Sequence, residues 1–340
     1  MIVKIQSSLI CTLLLFSGLG FNCDSPGKED RIEKDVLTLV AKIPLPGVSG
    51  RIDHLAYDSV HQLAYIAALG NNTIEVVNIE TKQVVHTITG LHSPQGVVFI
   101  YPLHRLAVAN DDGGTCMFFD AKSYTLLTTI DLKDDADNMR YDEPSGLLYV
   151  GYGSGGIAII DAAAMKQTAV VPLDGHPESF QLDAKRHRIY INVPGENEIE
   201  VADLSTHTVV AKWGNTEASS NFPMALDEQG GKLLIGFRSP AKLGIKNIET
   251  GTDIALLPCS GDADDVFYDA TDSLVYLSGG KGFVDVFKAF ANNEYARINH
   301  IATHSGARTS LLLAGSKQFL LAVPAGNSSA AELWIYRLEN

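Results

Sequence analysis

Two stretches, "DADNMRYD" (135–142) and "DADDVFYD" (262–269), carry nearly the same acidic cluster at two distant points of the chain. Carboxylates at this density support two kinds of chemistry. Asp135, Asp137, Asp262, Asp264 and Asp265 are hard oxygen donors of the kind that hold Ca²⁺ or Mg²⁺, the cofactors this set implies. Extended residues two apart lie ~6.5 Å apart along a strand, so a metal would also need ligands from a second segment. Asp137 and Asp264, with Glu178 of "HPESFQLD", are candidate general acids and bases, and His54 and His176 are alternative bases. Paired carboxylates also admit glycoside chemistry where their separation allows it.

The same stretches test for a repeat. Asp142 and Asp269 fall in phase with Asp58, Ile100, Asp183, Asp227 and Ala314, at successive spacings of 42, 42, 41, 44, 42 and 45. Seven copies of one unit are therefore present. In each, an apolar run ends at the reference position and a polar turn leads to a second run, such as "LAYIA", "LLYVG" or "RIYIN". A Gly- and Asn-rich loop leads to a third run ("TIEVVN", "GIAIID"), and a fourth ("QVVHTITG") closes the unit. Runs this short, rich in Val, Ile and Tyr and bounded by turn formers, read as strands. Four strands per unit predict an all-β, seven-bladed β-propeller. The seventh unit stops after its third strand, "ELWIYRL", and "DVLTLVAKIPLPG" near the start can supply the fourth, which would close the ring and leave no open edge.

In a propeller the loop before each first strand and the loop between the second and third strands open on one face, so seven sets of residues converge at one mouth. Four residues before the reference stand His54, Gly96, Asn138, Ser179, Pro223, Asp265 and Ser310. Five before stand Asp53, Gln95, Asp137, Glu178, Phe222, Asp264 and Thr309. These positions differ from blade to blade, as an asymmetric pocket on a symmetric scaffold requires. Arg51 and Arg308 could hold an anionic group, and Gln95, Asn138 and Arg140 extend the set. The second loops add Asn71, Asn110, Asp111, Tyr152, Asn192 and Arg238. Against this stands a local role, because Asp, Asn and Ser at such places often bond nearby backbone amides. The reference Asp, present in five of the seven units, reads as a turn cap.

The repeat resembles that of the seven-bladed propellers grouped as YVTN-repeat, YncE-like or surface-layer-type proteins, over nearly all of the chain after its leader. Segments such as "GRIDHLAYD", "AALGNNTIEVVN", "SPQGVV", "DGHPESFQLD", "NFPMALDE" and "GARTSL" are similar to those of secreted bacterial members. The resemblance implies the fold and little about function, since one fold hosts many functions.

Composition narrows the classes. With 46% hydrophobic and 19% charged residues the chain can bury a large core. A net charge of −14 repels a phosphate backbone, which argues against a nucleic-acid partner. Lys4 followed by "LICTLLLFSGLGF" has the length of a signal-peptide core, so residues 1–23 are expected to direct export to the periplasm or cell surface. Cleavage after Gly18 or Gly20, or lipidation of Cys23 as a membrane anchor, are the two outcomes. Residues 24–34 form a polar leader, and residues 35–340 the propeller. Cys116 and Cys259 lack metal spacing and read as buried free thiols. Three functions stay open: a binder of a small polar ligand of the sugar or organic-acid type, a metal-dependent hydrolase, lactonase or lyase, and a protein-docking scaffold. No HExxH, nucleophile elbow or phosphate-binding Gly loop names a reaction.

Overall fold

The computed structural model describes residues 35–326 and 329–339, so the expected signal, the leader and Cys23 lie outside the described residues. The described strands form seven antiparallel four-stranded sheets. Blades one to six run in chain order, each from an inner to an outer strand. Their inner strands are Leu55–Asp58, Pro94–Ile100, Ala136–Asp142, Phe180–Asp183, Ser219–Asp227 and Ala263–Asp269.

The seventh blade has Ser310–Leu313 innermost and takes its outer strand from the other end of the chain. Leu37–Pro44 pairs antiparallel with Glu332–Leu338, from Leu37 opposite Leu338 to Pro44 opposite Glu332. Leu37 and Ile43 are buried on its inward face. The ring is thus closed by hydrogen bonds between strands from the two ends of the described chain, which completes the seventh blade as the repeat requires.

The burial pattern follows from a sheet packed on both faces. Second strands such as Leu63–Ala68 and Arg188–Val193 are almost wholly buried, which is why they read as unbroken apolar runs. Fourth strands such as Thr208–Gly214 alternate between half-buried and exposed because one face meets water. Seven apolar clusters fill the spaces between adjacent blades. Ile66 of blade one meets Leu320 and Ile335 of blade seven, and Cys116 and Phe118 of blade two meet Leu148 and Val150 of blade three. Cys116 is buried and Cys259 half-buried, both are free, and burial pushes both thiols up, so neither is a reactive thiolate.

Four of the five reference aspartates are side-chain turn caps in the structure, while Asp142 takes its turn bonds on its backbone carbonyl, from the Ser145 hydroxyl and the Gly146 amide. Oδ1 of Asp58 accepts from the Val60 and His61 amides, that of Asp183 from Arg186, that of Asp227 from Gly230, and that of Asp269 from Thr271. These residues sit at the face opposite the mouth and leave it free to vary.

One departure from regular geometry matters for the mouth. The inner strands of blades two, three, five and six each carry one extra residue, between Pro94 and Val97, Ala136 and Met139, Asn221 and Met224, and Ala263 and Asp265. A bulge breaks the alternation of side chains and re-aims them. Gln95, Asp137, Phe222 and Asp264 lie at these bulges. Close approach of the blades there also demands glycine: a Cβ on Gly96 would stand 2.1 Å from the Asp137 carbonyl oxygen and 2.8 Å from Cγ of Met139.

Candidate functional site

The inner strands enclose two cavities in line. The wider, of about 580 Å³, runs down the channel and is lined largely by inner-strand residues such as Val97, Met139 and Leu311. The other, of about 250 Å³, is the mouth. His54 and Ser179 line both and form the floor between them.

All seven blades contribute to the mouth, but not alike. Blade one and the loop before it supply Arg51, Asp53 and His54, blade two Gln95 and Asp111, and blade three Asp135, Asp137 and Asn138. His176 and Glu178 come from the loop before blade four, Phe222 and Arg238 from blade five, Asp264 from blade six and Arg308 from the loop before blade seven. The cationic arc of blades five, seven and one therefore faces an acidic arc of blades two to four.

The cationic arc is a connected network. Asp264 is held between Arg238, through Nη2, and Arg308, whose Nε is 2.8 Å from Oδ2. Arg308 also donates from Nη1 to Asp262 at 2.9 Å. The Arg238 guanidinium lies over the Phe222 ring, 3.6 Å from its centroid, and donates from Nε to the Ala263 carbonyl. Arg51 pairs through Nη2 with Asp53 at 2.7 Å and keeps 43% of its side chain exposed. Each guanidinium carries five N–H donors, so all three retain donors for an anion.

His54 holds the floor. Its Nδ1 is 3.5 Å from Asp265 on the channel side, and its Nε2 is 3.8 Å from Asp53 and 3.9 Å from Asp137 on the mouth side. Burial disfavours the imidazolium, but Asp265, Asp53 and Asp137 outweigh it and raise the pKa to about 10. His54 is therefore a fixed cation at neutral pH, and its expected role as a base is corrected to that of a counter-charge.

The acidic arc is strained electrostatically. Burial, followed by the neighbouring Glu178 and Asp53, pushes Asp137 well above the usual carboxylate range. Burial and then Asp264 raise Glu178 to about 7, against partial relief from Arg238. Glu178 thus divides between its two protonation states near neutrality, the condition a general acid or base needs. Oδ1 of Asp137 is shielded from solvent and accepts no hydrogen bond, although the residue is only 6% exposed. Asp135 accepts from Gln95 Nε2 at 3.0 Å and stands 3.7 Å from His176 Nε2. Oxygen or nitrogen atoms of Asp137, His176 and Glu178 all lie within 4.8 Å of one another.

Several expected site residues are placed elsewhere. Asn110 is wholly buried, where Oδ1 accepts from the His92 amide, and Asn192 is buried with Nδ2 donating to the Phe222 carbonyl. Both brace loops and line neither cavity. Tyr152 packs its ring on Gly156 and lines a shallow recess at the rim of blade three with Asp134 and Gly153. Arg140 points into the channel, where it donates to the Met139 carbonyl and to Ser179 Oγ.

The five-aspartate metal set is also corrected, because the bulges send its members apart. Asp262 adopts a left-handed φ of 57° and pairs with Arg308, Asp264 is taken by two guanidinium groups, and Asp265 accepts from the Ser310 amide below the floor. Asp137 alone of the five joins a cluster with metal-binding spacing among the described residues. The mouth also takes in Asp53 and Phe222, in phase with Asp137 and Glu178, and Asp111 of a second loop, which the repeat placed there without giving them a chemical role.

No family model matches the sequence, and no curated protein matches it. Similarity appears at the level of structure. The chain resembles a chain of "Kuenenia stuttgartiensis Hydrazine Synthase" with a TM-score of 0.72 at 13% identity, over 82% of this chain and 95% of that one. It resembles a chain of the "Mitotic Checkpoint Complex" with a TM-score of 0.75 at 14% identity, over 96% of this chain and all of the other. The shared property is the seven-bladed β-propeller. At such low identity the likeness extends to the fold alone, and the function must be argued from the mouth.

Proposed function

We propose that this propeller binds a small, polar, anionic ligand of the sugar-acid or hydroxy-acid type at the channel mouth. The observation that carries the reading is the division of the mouth into a cationic arc of Arg51, Arg238 and Arg308 and an acidic arc of Asp135, Asp137 and Glu178 around a cavity of about 250 Å³. A carboxylate on the ligand fits the guanidinium groups, and its hydroxyls donate to the carboxylates opposite. The raised Asp137 and Glu178 support this, since buried like charges cost stability that a purely architectural ring would avoid. The apolar run at the start of the chain and the resemblance to secreted YVTN-repeat propellers favour an exported protein that meets its ligand outside the cytoplasm.

The test is calorimetric titration of the protein with gluconate, glucuronate and citrate, and with glucose as the neutral comparison. Saturable binding of an acid but not of glucose is expected. Arg308→Gln should weaken it roughly 10–100-fold, the range for losing a charge-assisted hydrogen bond of about 1.5–3 kcal/mol. Acid binding that Arg308→Gln and Arg51→Gln leave unchanged would refute the assignment, and a protein that binds none of the acids would turn attention to docking of another protein at the rim.

A further inference from the structure

We propose that Asp137, His176 and Glu178 hold one first-row divalent transition ion, zinc being the expected occupant, on the acidic side of the mouth. The inference deepens the ligand-site reading and rests on it in one respect, that the ion's open positions face the cavity in which the organic ligand would sit.

Four observations converge. The donor atoms of the three residues already lie within 4.8 Å of one another, so small side-chain adjustments bring them to the ~2.0–2.2 Å bonds that zinc makes to nitrogen and oxygen. His176 is oriented to coordinate, because Nδ1 donates to the Gly153 carbonyl at 2.6 Å and leaves the Nε2 lone pair directed at the carboxylates. A backbone carbonyl on the far ring nitrogen is the usual device that fixes the tautomer of a metal-binding imidazole. Oδ1 of Asp137 is buried without a hydrogen bond in a residue only 6% exposed, and the nearest cation, His54 Nε2 at 3.9 Å, stands too far off to bond it, so its lone pairs are left for a closer ligand. Asp135, 3.7 Å from His176 Nε2 and held by Gln95, stands where it can bond a water on the ion.

The donor set selects the class of ion. Two carboxylates balance a dication, and an imidazole favours zinc, copper, iron or nickel over calcium, magnesium and manganese, which prefer oxygen ligands. Three protein ligands leave coordination positions open, as in sites that polarise a bound ligand rather than brace a fold. The other acidic cluster, Asp174, Glu198 and Glu200, supplies an internal comparison. There Lys212 Nζ pairs with Asp174 and stands 3.4 Å from Glu198 and 3.3 Å from Glu200, so an ammonium already fills the place of an ion.

The experiment is equilibrium dialysis of chelator-stripped protein against Zn²⁺ alone, with metal counted by mass spectrometry, and Co²⁺ as a spectroscopic probe. One ion per chain is expected, with visible Co²⁺ absorption bands of low symmetry. His176→Gln and Asp137→Asn should each weaken uptake at least tenfold, and Glu200→Gln should leave it unchanged. His176 lies on a loop with 31% of its side chain exposed, so its variant carries the test even if Asp137→Asn fails to fold. Absence of stoichiometric uptake, uptake indifferent to His176→Gln, or uptake lost in Glu200→Gln would each overturn the proposal. No organic acid is present in this measurement, so its failure is separate from failure of the acid titration.

Discussion

Replacing His54 with glutamine removes the cation that stands between Asp265 below the floor and Asp53 and Asp137 above it. In the unfolded chain the imidazole loses its proton near pH 6.5, and in the folded protein near 10. The folded state therefore holds the extra proton throughout that window. Stability owed to His54 is complete below about pH 6.5 and falls by ~1.4 kcal/mol for each pH unit above it, until it is gone near pH 10. The whole difference comes to roughly 5 kcal/mol, in line with the ~3–5 kcal/mol cost of removing one partner from a buried ion pair. Urea unfolding of wild type and His54→Gln, followed by tryptophan fluorescence, should show the variant about 3–5 kcal/mol less stable at pH 7, with the gap shrinking to ~1 kcal/mol by pH 9.5. A gap under ~1 kcal/mol at pH 7, or one of equal size at both pH values, would refute the reading of His54 as the counter-charge of the floor.

Two further outcomes follow from the same geometry. Glu178 titrates near 7 in the folded protein against an ordinary 4.5, so its ionised form costs stability as pH rises through 7, and the uncharged Glu178→Gln should be ~1–3 kcal/mol more stable than wild type at pH 8.5 and closer to it at pH 5. A variant that gains nothing at pH 8.5 by urea unfolding would sink the account of a strained acidic arc. Gly96→Ala forces a methyl against the Asp137 carbonyl and should cost about 1–3 kcal/mol while weakening both acid and Zn²⁺ uptake, because it shifts the bulge that aims Asp137. Unchanged urea midpoint and affinities would show that the two inner strands have room to spare.

The architecture is legible from the residues in order. Six in-phase units of four short apolar runs and a seventh of three admit little but a propeller, and the orphaned third strand of the last unit required a partner that the amino-terminal run supplies. Local chemistry was legible too: an aspartate followed by a tight turn is placed to cap that turn, and Asp58, Asp183, Asp227 and Asp269 do so. The repeat also carries Asp53, Gln95, Asp137, Glu178, Phe222 and Asp264 to equivalent places at the mouth, whereas Asn110, Asn192, Tyr152 and Arg140, read from the same repeat, lie outside it.

Which of these residues meet depends on how the blades pack. Asp264 and Asp137 occupy the same phase and nearly the same motif, yet one is clasped by Arg238 and Arg308 while the other faces His176 and Glu178, with the His54 imidazole 3.9 Å away as its nearest cation. The difference lies in the neighbouring blades, which a period of about 42 residues places side by side without saying which side chains face each other. His54 likewise reads as a base from its type and becomes a fixed cation only because three carboxylates from different blades surround it. Coulomb energy depends on distances across the channel, and those distances are set by bulges and blade packing rather than by spacing along the chain.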